Sequence, residues 1–413
     1  MNRALMPLEA AVERFISGGT PSRNNEALWG GTIPWITGSD FSADGLNYER
    51  RFITAAAVEK TATNIVPKGA ILLVTRTGVG KLAIAERDVA ISQDVTGIVP
   101  HACVDANFLA YSIQRNQGYL LAAQRGATIK GVTRDVVRNL QVLRAPLSEQ
   151  KRIAYLLDQA KGLCKLSRDA GHRAAGMLPA LFLKMFGDPI SNPMGWEIES
   201  LGSIGVLDRG KSRHRPRNDP RLLGGCYPFV QTGDVSKADG LLTEHRATYS
   251  EFGLAQSKLW PRGTLCITIA ANIAETAILD FEACFPDSVV GFTAGPRTNS
   301  AFMRVLLGFL RPMLEASAPQ AAQKNINLDI LRELKVALPP ISSQERFRHF
   351  HDEYLRIGID RSHAAGEIHR LWELMLERAF SGELTAEWHD ANIDELILEM
   401  DEQNSPLGLT LNS

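Results

Sequence analysis

The chain is poor in the features that mark most metalloproteins, membrane proteins and bulk nucleic-acid binders. Its five cysteines, Cys103, Cys164, Cys226, Cys266 and Cys284, show no CxxC or Cys/His spacing. They read as reduced, mostly buried residues, and a structural zinc site is not expected. No apolar run approaches the roughly 20 residues that span a bilayer, and Met1-Asn2-Arg3 leads into no signal-peptide core. The expectation is a soluble, cytoplasmic protein with no membrane partner. A dominant charge is missing too: 45 Lys and Arg face 46 Asp and Glu, for a net charge of −1. Affinity for nucleic acid would have to come from local basic patches.

What the chain does have is a copy of itself. Pro34-Trp35-Ile36 matches Pro228-Phe229-Val230 (228 − 34 = 194), and Pro67-Lys68-Gly69 matches Pro261-Arg262-Gly263 at the same offset. Lys130 and Lys324, Pro146-Leu147 and Pro340-Ile341, Gln150 and Gln344, and Phe186 and Phe380 keep that register. With 413 residues, 45% of them hydrophobic, there is material for two or three domains. A unit doubled with its framework kept and its loops diverged implies two related surfaces for two different targets.

Each copy reads as a strand-rich globule followed by a long helix. In the first, apolar and β-branched runs at 33–36, 70–75, 82–85, 95–99 and 140–143 are separated by turn residues. The second repeats them at 227–231, 264–269, 276–279, 289–293 and 334–338, and short helical patterns lie at 106–112 and 300–310. The expected class is α+β: two pseudo-symmetric α/β globules separated by two long helices packed as an antiparallel coiled coil. Boundaries are placed at 1–147, 148–190, 191–341, 342–384 and an acidic tail, 385–413.

Along the first helix Ile153, Leu157, Ala160, Cys164, Ser167, Gly171, Ala174, Leu178, Leu181 and Met185 alternate spacings of four and three. That is the seam of a coiled coil. Its copy runs Phe347, His351, Tyr354, Gly358, Arg361, Ala365, Ile368, Trp372, Met375 and Ala379. About 38 residues at ~1.5 Å rise give a rod of roughly 57 Å, longer than the ~34 Å of one DNA turn. Pro146 and Pro340 fix where the helices begin, and Pro179 should kink or break the first. Beyond Arg378 the charges are all acidic, which fits either a flexible end or a docking peptide.

These residues resemble a known family, the specificity subunit of type I restriction-modification systems. The matches are Ala145-Pro146-Leu147-Ser148-Glu149-Gln150-Lys151-Arg152-Ile153 and Leu338-Pro339-Pro340-Ile341-Ser342-Ser343-Gln344-Glu345 opening the helices. Met185-Phe186-Gly187-Asp188-Pro189 and Ala379-Phe380-Ser381-Gly382-Glu383-Leu384 close them. Ser343 stands where the family has Glu, and Pro179 departs from its pattern. The resemblance implies two target recognition domains, each reading half of a bipartite, asymmetric double-stranded DNA site, with the helices setting the spacing. It also implies docking of two modification (methyltransferase) subunits and, through them, of restriction (endonuclease/translocase) subunits. S-adenosylmethionine, ATP and Mg²⁺ would then belong to the partners, and this chain would be a non-catalytic participant in DNA methylation and restriction.

Motifs for autonomous chemistry fail on spacing. Gly78-Val79-Gly80-Lys81 imitates the end of a phosphate loop, but Thr75 and Leu82 occupy its Gly and Ser/Thr positions. Asp287 with Glu333 and Lys335 imitates a nuclease cluster, yet Asn139 repeats Glu333, and a surface strand charge is the simpler reading. His349 and His351 have no carboxylate at metal spacing and read as seam or surface histidines.

Reading DNA requires cations, amides and hydroxyls on loops that share a face. The best loop of the first copy is Arg76-Thr77-Gly78-Val79-Gly80-Lys81. Its counterpart, Ile269-Ala270-Ala271-Asn272-Ile273-Ala274, has lost both cations and offers Asn272. Thr37 and Ser39 face Gln231 in a second polar loop, where Asp40 and Asp234 either cap a turn or touch a base. Arg209, Lys211, Arg213, His214, Arg215, Arg217 and Arg221 form the densest basic run, matching a segment of the first copy that ends in Arg23. It is either a solvated loop or a DNA contact. Lys130 and Lys324, kept in both copies, read as a shared phosphate contact or a shared folding role. The expected DNA-facing residues are Arg23, Thr37, Ser39, Lys68, Arg76, Lys81 and Lys130, with Arg209, Lys211, Arg213, Arg215, Gln231, Asn272 and Lys324 in the second copy.

Overall fold

The computed structural model describes residues 4–42, 45–126, 130–217, 219–270, 273–317 and 326–407. It divides into two compact units, Met1–Leu166 with Ala365–Ser413, and Ser167–Ala364. Each unit therefore takes one globule and a part of each long helix.

In the first unit an antiparallel sheet runs in the order Val12–Ser17, Val95–Pro100, Ile71–Val74, Leu82–Ile84. A second, mixed sheet runs Phe52–Ile53, Trp29–Ile36, Val89–Ile91, Ile65–Val66. Its one parallel pair sets Trp35 beside Ala90. A two-stranded ribbon joins Leu5–Pro7 to Gln141–Leu143. The second unit repeats this order: Gly205–Arg209, Val289–Ala294, Leu265–Thr268 and Thr276–Leu279, with Leu241–Leu242 added at the edge. Its mixed sheet runs Ala247–Tyr249, Leu223–Phe229, Ala283–Cys284, Leu259–Trp260, and its ribbon joins Glu197–Ser200 to Lys335–Leu338. Strand Leu265–Thr268 lies 194 residues after Ile71–Val74 (265 − 71 = 194) and is buried at all four positions in both copies. A strand covered on both faces reads as an unbroken apolar run, which is why this element is so plain in the sequence.

The helix expected at 148–185 forms as two pieces, Leu147–Ala175 and Met177–Phe186. Pro179 lacks the N–H that would donate to the carbonyl of Ala175, so the ladder stops there and restarts where Ala180 donates to Gly176 at 3.2 Å. The copy, Ile341–Ser381, has no proline and runs unbroken.

In the first unit the start of the central helix packs against the end of the distal one. Ile153, Ala154, Leu157 and Ala160 share a core with Trp372, Ala379 and Phe380. Phe108 meets Phe380 and Tyr111 meets Trp372, each pair with ring centroids 5.7 Å apart. Glu149 bonds residues 385 and 389, whereas Asp158 bonds Tyr111, the partner of Trp372. The two helices therefore run antiparallel here. In the second unit Leu178, Phe182 and Phe186 pack on Phe347 and Tyr354, again antiparallel. Phe186 meets Phe302 at 5.1 Å, the repeat of the Phe108–Phe380 contact with the helices exchanged.

Gln150 and Gln344 clamp helix to globule. Gln150, buried, donates to the Ala145 carbonyl at 2.8 Å and accepts from the Asp105 N–H at 2.8 Å. Gln344, fully buried, donates to the Pro339 carbonyl at 2.7 Å and accepts from Thr298 at 2.9 Å. Removing either amide leaves buried carbonyls unpaired, at about 1–3 kcal/mol.

The acidic tail departs from the expectation of a flexible end. It folds as helices Ala386–Ala391 and Ile393–Leu407 against its own chain. Glu399 accepts from the Ser148 backbone N–H at 3.0 Å and from its hydroxyl at 2.5 Å, capping the start of the central helix. Buried Glu149 accepts from the Thr385 hydroxyl at 2.8 Å and sits 3.0 Å from His389 Nδ1. These partners explain the departure at Ser343. The residues 194 before Thr385 and His389 are Ser191, whose hydroxyl is given to Asp188, and Gly195. A Glu at 343 would find neither partner there.

Cys266 and Cys284 are buried, Cys103 and Cys164 half-buried, and all five cysteines are free. Cys226 is exposed, against expectation, because it lies on the uncovered stretch of strand Leu223–Phe229. No helix among the described residues is long and apolar enough to cross a membrane.

Candidate nucleic-acid interface

In the first unit the chain ends of several strands converge. Ser92 donates to the Ile36 carbonyl at 2.8 Å, and Thr75 donates to the Asp94 carbonyl at 2.8 Å. A methyl on Gly18 would lie 2.1 Å from the Ser92 carbonyl oxygen, so only glycine lets the chain leave strand Val12–Ser17 there. A methyl on Gly38 would reach 3.2 Å from the Thr77 carbonyl, which sets the 37–40 loop beside the 76–81 loop.

The 76–81 loop joins strands Ile71–Val74 and Leu82–Ile84 as a hairpin rather than leading into a helix, which rules out a phosphate-loop fold. Thr77, Gly78 and Gly80 take positive φ values of 50, 108 and 91°. Arg76 bridges to Gly131, and Thr77 donates to the Lys130 carbonyl at 3.3 Å. The side chain of Lys81 folds back toward Gly78. Arg76, Lys81 and Lys130 thus meet on one rim, all exposed and none in an ion pair among the described residues. Arg125, bonded backbone to backbone with Gly131 at 2.8 and 3.0 Å, brings a fourth exposed cation that sequence reasoning missed. Its tie to the rim runs through the Gly131 backbone, which carries no side-chain signature.

The neighbouring polar loop is more committed to structure. Thr37 is buried and gives its hydroxyl to Asp40 at 2.7 Å, while Asp40 also accepts the Thr37 N–H at 2.8 Å. Ser39 receives a hydrogen bond from Arg50 at 2.7 Å. Asp234 closes the matching turn by accepting the Gln231 N–H at 2.9 Å, which leaves the Gln231 side chain exposed. Both aspartates therefore cap turns. Lys68 sits at the other end of strand Ile71–Val74, in a turn whose backbone N–H goes to Asp88 at 2.9 Å, so it does not join the rim.

In the second unit three members of the basic run, His214, Arg217 and Arg221, are paired with carboxylates. Arg217 is held by both oxygens of Asp287 at 2.9 and 3.0 Å. Asp219 takes Arg221 and His214, each at 2.7 Å, and the Arg221 guanidinium and N–H hold its carboxyl far below the usual carboxylate range. Arg215 donates to the Ser212 and His214 carbonyls at 2.7 and 2.8 Å. Arg209, Lys211 and Arg213 form no ion pair among the described residues. Asn272 and Lys324 lie outside the described residues. The flanking frame is kept, since Ile326 donates to Ile269 at 2.9 Å as Val132 does to Thr75.

The imitated metal and nuclease sites do not assemble: among the described residues no three His, Cys, Asp or Glu side chains are placed to hold an ion. Asp287 is engaged by Arg217. His351 is fully buried and accepts from Arg304 Nε at 2.9 Å through Nε2, which leaves the proton on Nδ1, 3.1 Å from Asp352. Burial first, and the Arg304 charge second, bring its pKa down to about 4.

Fold and rim define a class: a duplicated α+β protein whose two globules share a framework and present different charged loops. The model of the type I restriction modification DNA specificity domain matches residues 12–168 and 193–363, and the chain belongs to that family. The MjaIX type I restriction enzyme specificity subunit of Methanocaldococcus jannaschii is 27% identical over 272 residues, 60% of this chain and 61% of that one. The EcoR124I/EcoR124II specificity subunit of Escherichia coli is 26% identical over 155 residues, 36% and 38% of the two chains. The alignments therefore span less than two thirds of these relatives. Among solved structures, the type I system S subunit from M. genitalium superposes with a TM-score of 0.56 at 15% identity, covering 92% of this chain and 96% of that one. A chain from a study of type I R-M complex assembly gives 0.56 at 17%, covering 93% and 98%. Both share the fold.

Proposed function

We propose that this chain is the DNA-reading subunit of a type I restriction-modification assembly. Each globule reads one half of a bipartite, asymmetric duplex site, and the helices that contribute to both units set the separation. The observation that carries this reading is the rim of Arg76, Lys81, Arg125 and Lys130, unneutralised among the described residues, on a frame that the second unit repeats with different side chains. Phosphate contacts position such a protein and base-edge contacts give it sequence, so shared frames with unlike loops suit two unlike half-sites.

Two modification subunits dock on the helices, and restriction subunits join through them. Exposed apolar side chains recur at repeat-related positions: Leu163 (47% exposed) with Ile357 (54%), and Met177 (64%) with Leu371 (45%). Each unit thus offers one residue of each pair, which supports two equivalent docking surfaces. S-adenosylmethionine, ATP and Mg²⁺ act in the partners, and the chain works without catalysis of its own.

Methylome sequencing of cells expressing the chain with its modification subunit is the test. A motif of two unlike halves split by a spacer is expected, and a single contiguous motif would overturn the reading. The mass of the purified complex should correspond to one copy of this chain with two modification subunits.

A further inference from the structure

A cleft of about 360 Å³ in the first unit is walled by Arg23, Trp29, Trp35 and Arg51. The Trp35 indole N–H donates to the Gly19 carbonyl at 3.1 Å, and that of Trp29 to Ser22 at 3.0 Å. Both indole N–H groups are thereby spent on holding the loop that carries Arg23. The rings meet edge to face, centroids 5.2 Å apart at 89°, and the Arg51 guanidinium lies 5.7 Å from the Trp35 centroid. Neither arginine forms an ion pair among the described residues.

Among the described residues the second unit shows no counterpart at the repeat-related positions. The residues 194 later are Arg217, Leu223, Phe229 and His245. Arg217 is bound by Asp287, Leu223 offers no ring, and Phe229 stacks on Tyr249 at 4.0 Å. Among the described residues, a ring-lined cleft with two unneutralised guanidiniums is found in the first copy and not at these positions of the second. Guanidinium forks match phosphate oxygens, and an indole face suits a sugar or base. The 18–25 loop leaves its strand at the end where the 37–40 and 76–81 loops gather.

We propose that this cleft grips one nucleotide of DNA at the first half-site, its phosphodiester between Arg23 and Arg51 and its sugar or base against Trp29. The inference rests on the rim facing DNA. It gives one half-site a sequence-independent anchor that the other lacks.

The test is a salt titration of the assembled enzyme on a duplex carrying its methylome-defined site. Arg23→Gln, on an exposed loop, should lower the slope of log affinity against log salt by about 0.9 and weaken binding about tenfold with the motif unchanged. Arg51→Gln should do the same, with its melting temperature as a control for the lost Trp35 contact. An unchanged slope for Arg23→Gln, while Arg76→Ala still weakens binding, would overturn the cleft assignment and leave the proposed function standing. Wild-type enzyme without sequence-dependent affinity would instead overturn the function itself. ATP binding that Arg23→Gln abolishes, with DNA affinity intact, would assign the cleft to a free nucleotide and also overturn the proposal.

Discussion

The rim of the first unit and the basic run of the second make an instructive pair. The run is richer in cations, yet Arg217, Arg221 and His214 are tied to carboxylates and Arg215 to carbonyls. The rim has fewer cations and no ion pair on Arg76, Lys81, Arg125 or Lys130 among the described residues. Charge density along a sequence therefore overstates the charge available to a ligand, because part of it is taken up by carboxylates, among them Asp287, seventy positions away from Arg217. Beneath this difference the frames agree in the order of their shared strands and in the glutamine that clamps each helix to its globule.

The largest predicted effect sharpens the comparison of cores. Phe186 contacts Phe182, Phe302 and Phe347, whereas among the described residues its counterpart Phe380 contacts one ring, Phe108. Phe186→Ala should cost about 3–5 kcal/mol in denaturant unfolding and Phe380→Ala nearer ~2–3. Equal losses would mean that the two cores are better matched than their packing indicates.

Next comes pH. His351 is kept neutral in the folded chain, with its pKa near 4. The unfolded chain takes up a proton near pH 6.5, so stability is full above that and falls as the pH drops toward 4, by about 2–3 kcal/mol. Its counterpart 194 residues earlier is Leu157, which does not titrate, so the first core has no such dependence at that position. Melting of wild type and His351→Gln at pH 7 and 5 should show the dependence reduced in the variant, and parallel curves would refute the assignment.

Gln150→Ala and Gln344→Ala should each cost about 1–3 kcal/mol, with the more deeply buried Gln344 the larger. Thermal melts that rank them in the opposite order would break the equivalence of the clamps. The smallest effects belong to the rim. Lys130→Ala should lower the salt slope by about 0.9 on every sequence, while Arg76→Ala should relax preference within one half-site. A shift confined to the other half-site would exchange the assignment of the two loops.

The strands and seams were legible because burial leaves periodic apolar patterns: Leu265–Thr268 and Ile153–Leu157–Ala160 are continuous or heptad-spaced. Strand Val12–Ser17 was not, since Glu13 and Arg14 interrupt it and only Val12 is buried. The acidic tail looked unstructured by charge alone, and its order depends on Ser148 and Glu149, more than two hundred residues away. Trp35 was legible only as part of a strand, and Trp29 and Arg51 gave no sequence signal, because their meeting depends on the fold of the 18–25 loop.

The central claim is that one framework presents two independent readers. It is tested most directly by replacing residues 5–143 with 199–337 and sequencing the methylome of cells expressing that chain with its modification subunit. Two copies of one half-site, the former second half, are predicted. Retention of the original asymmetric motif would contradict the account.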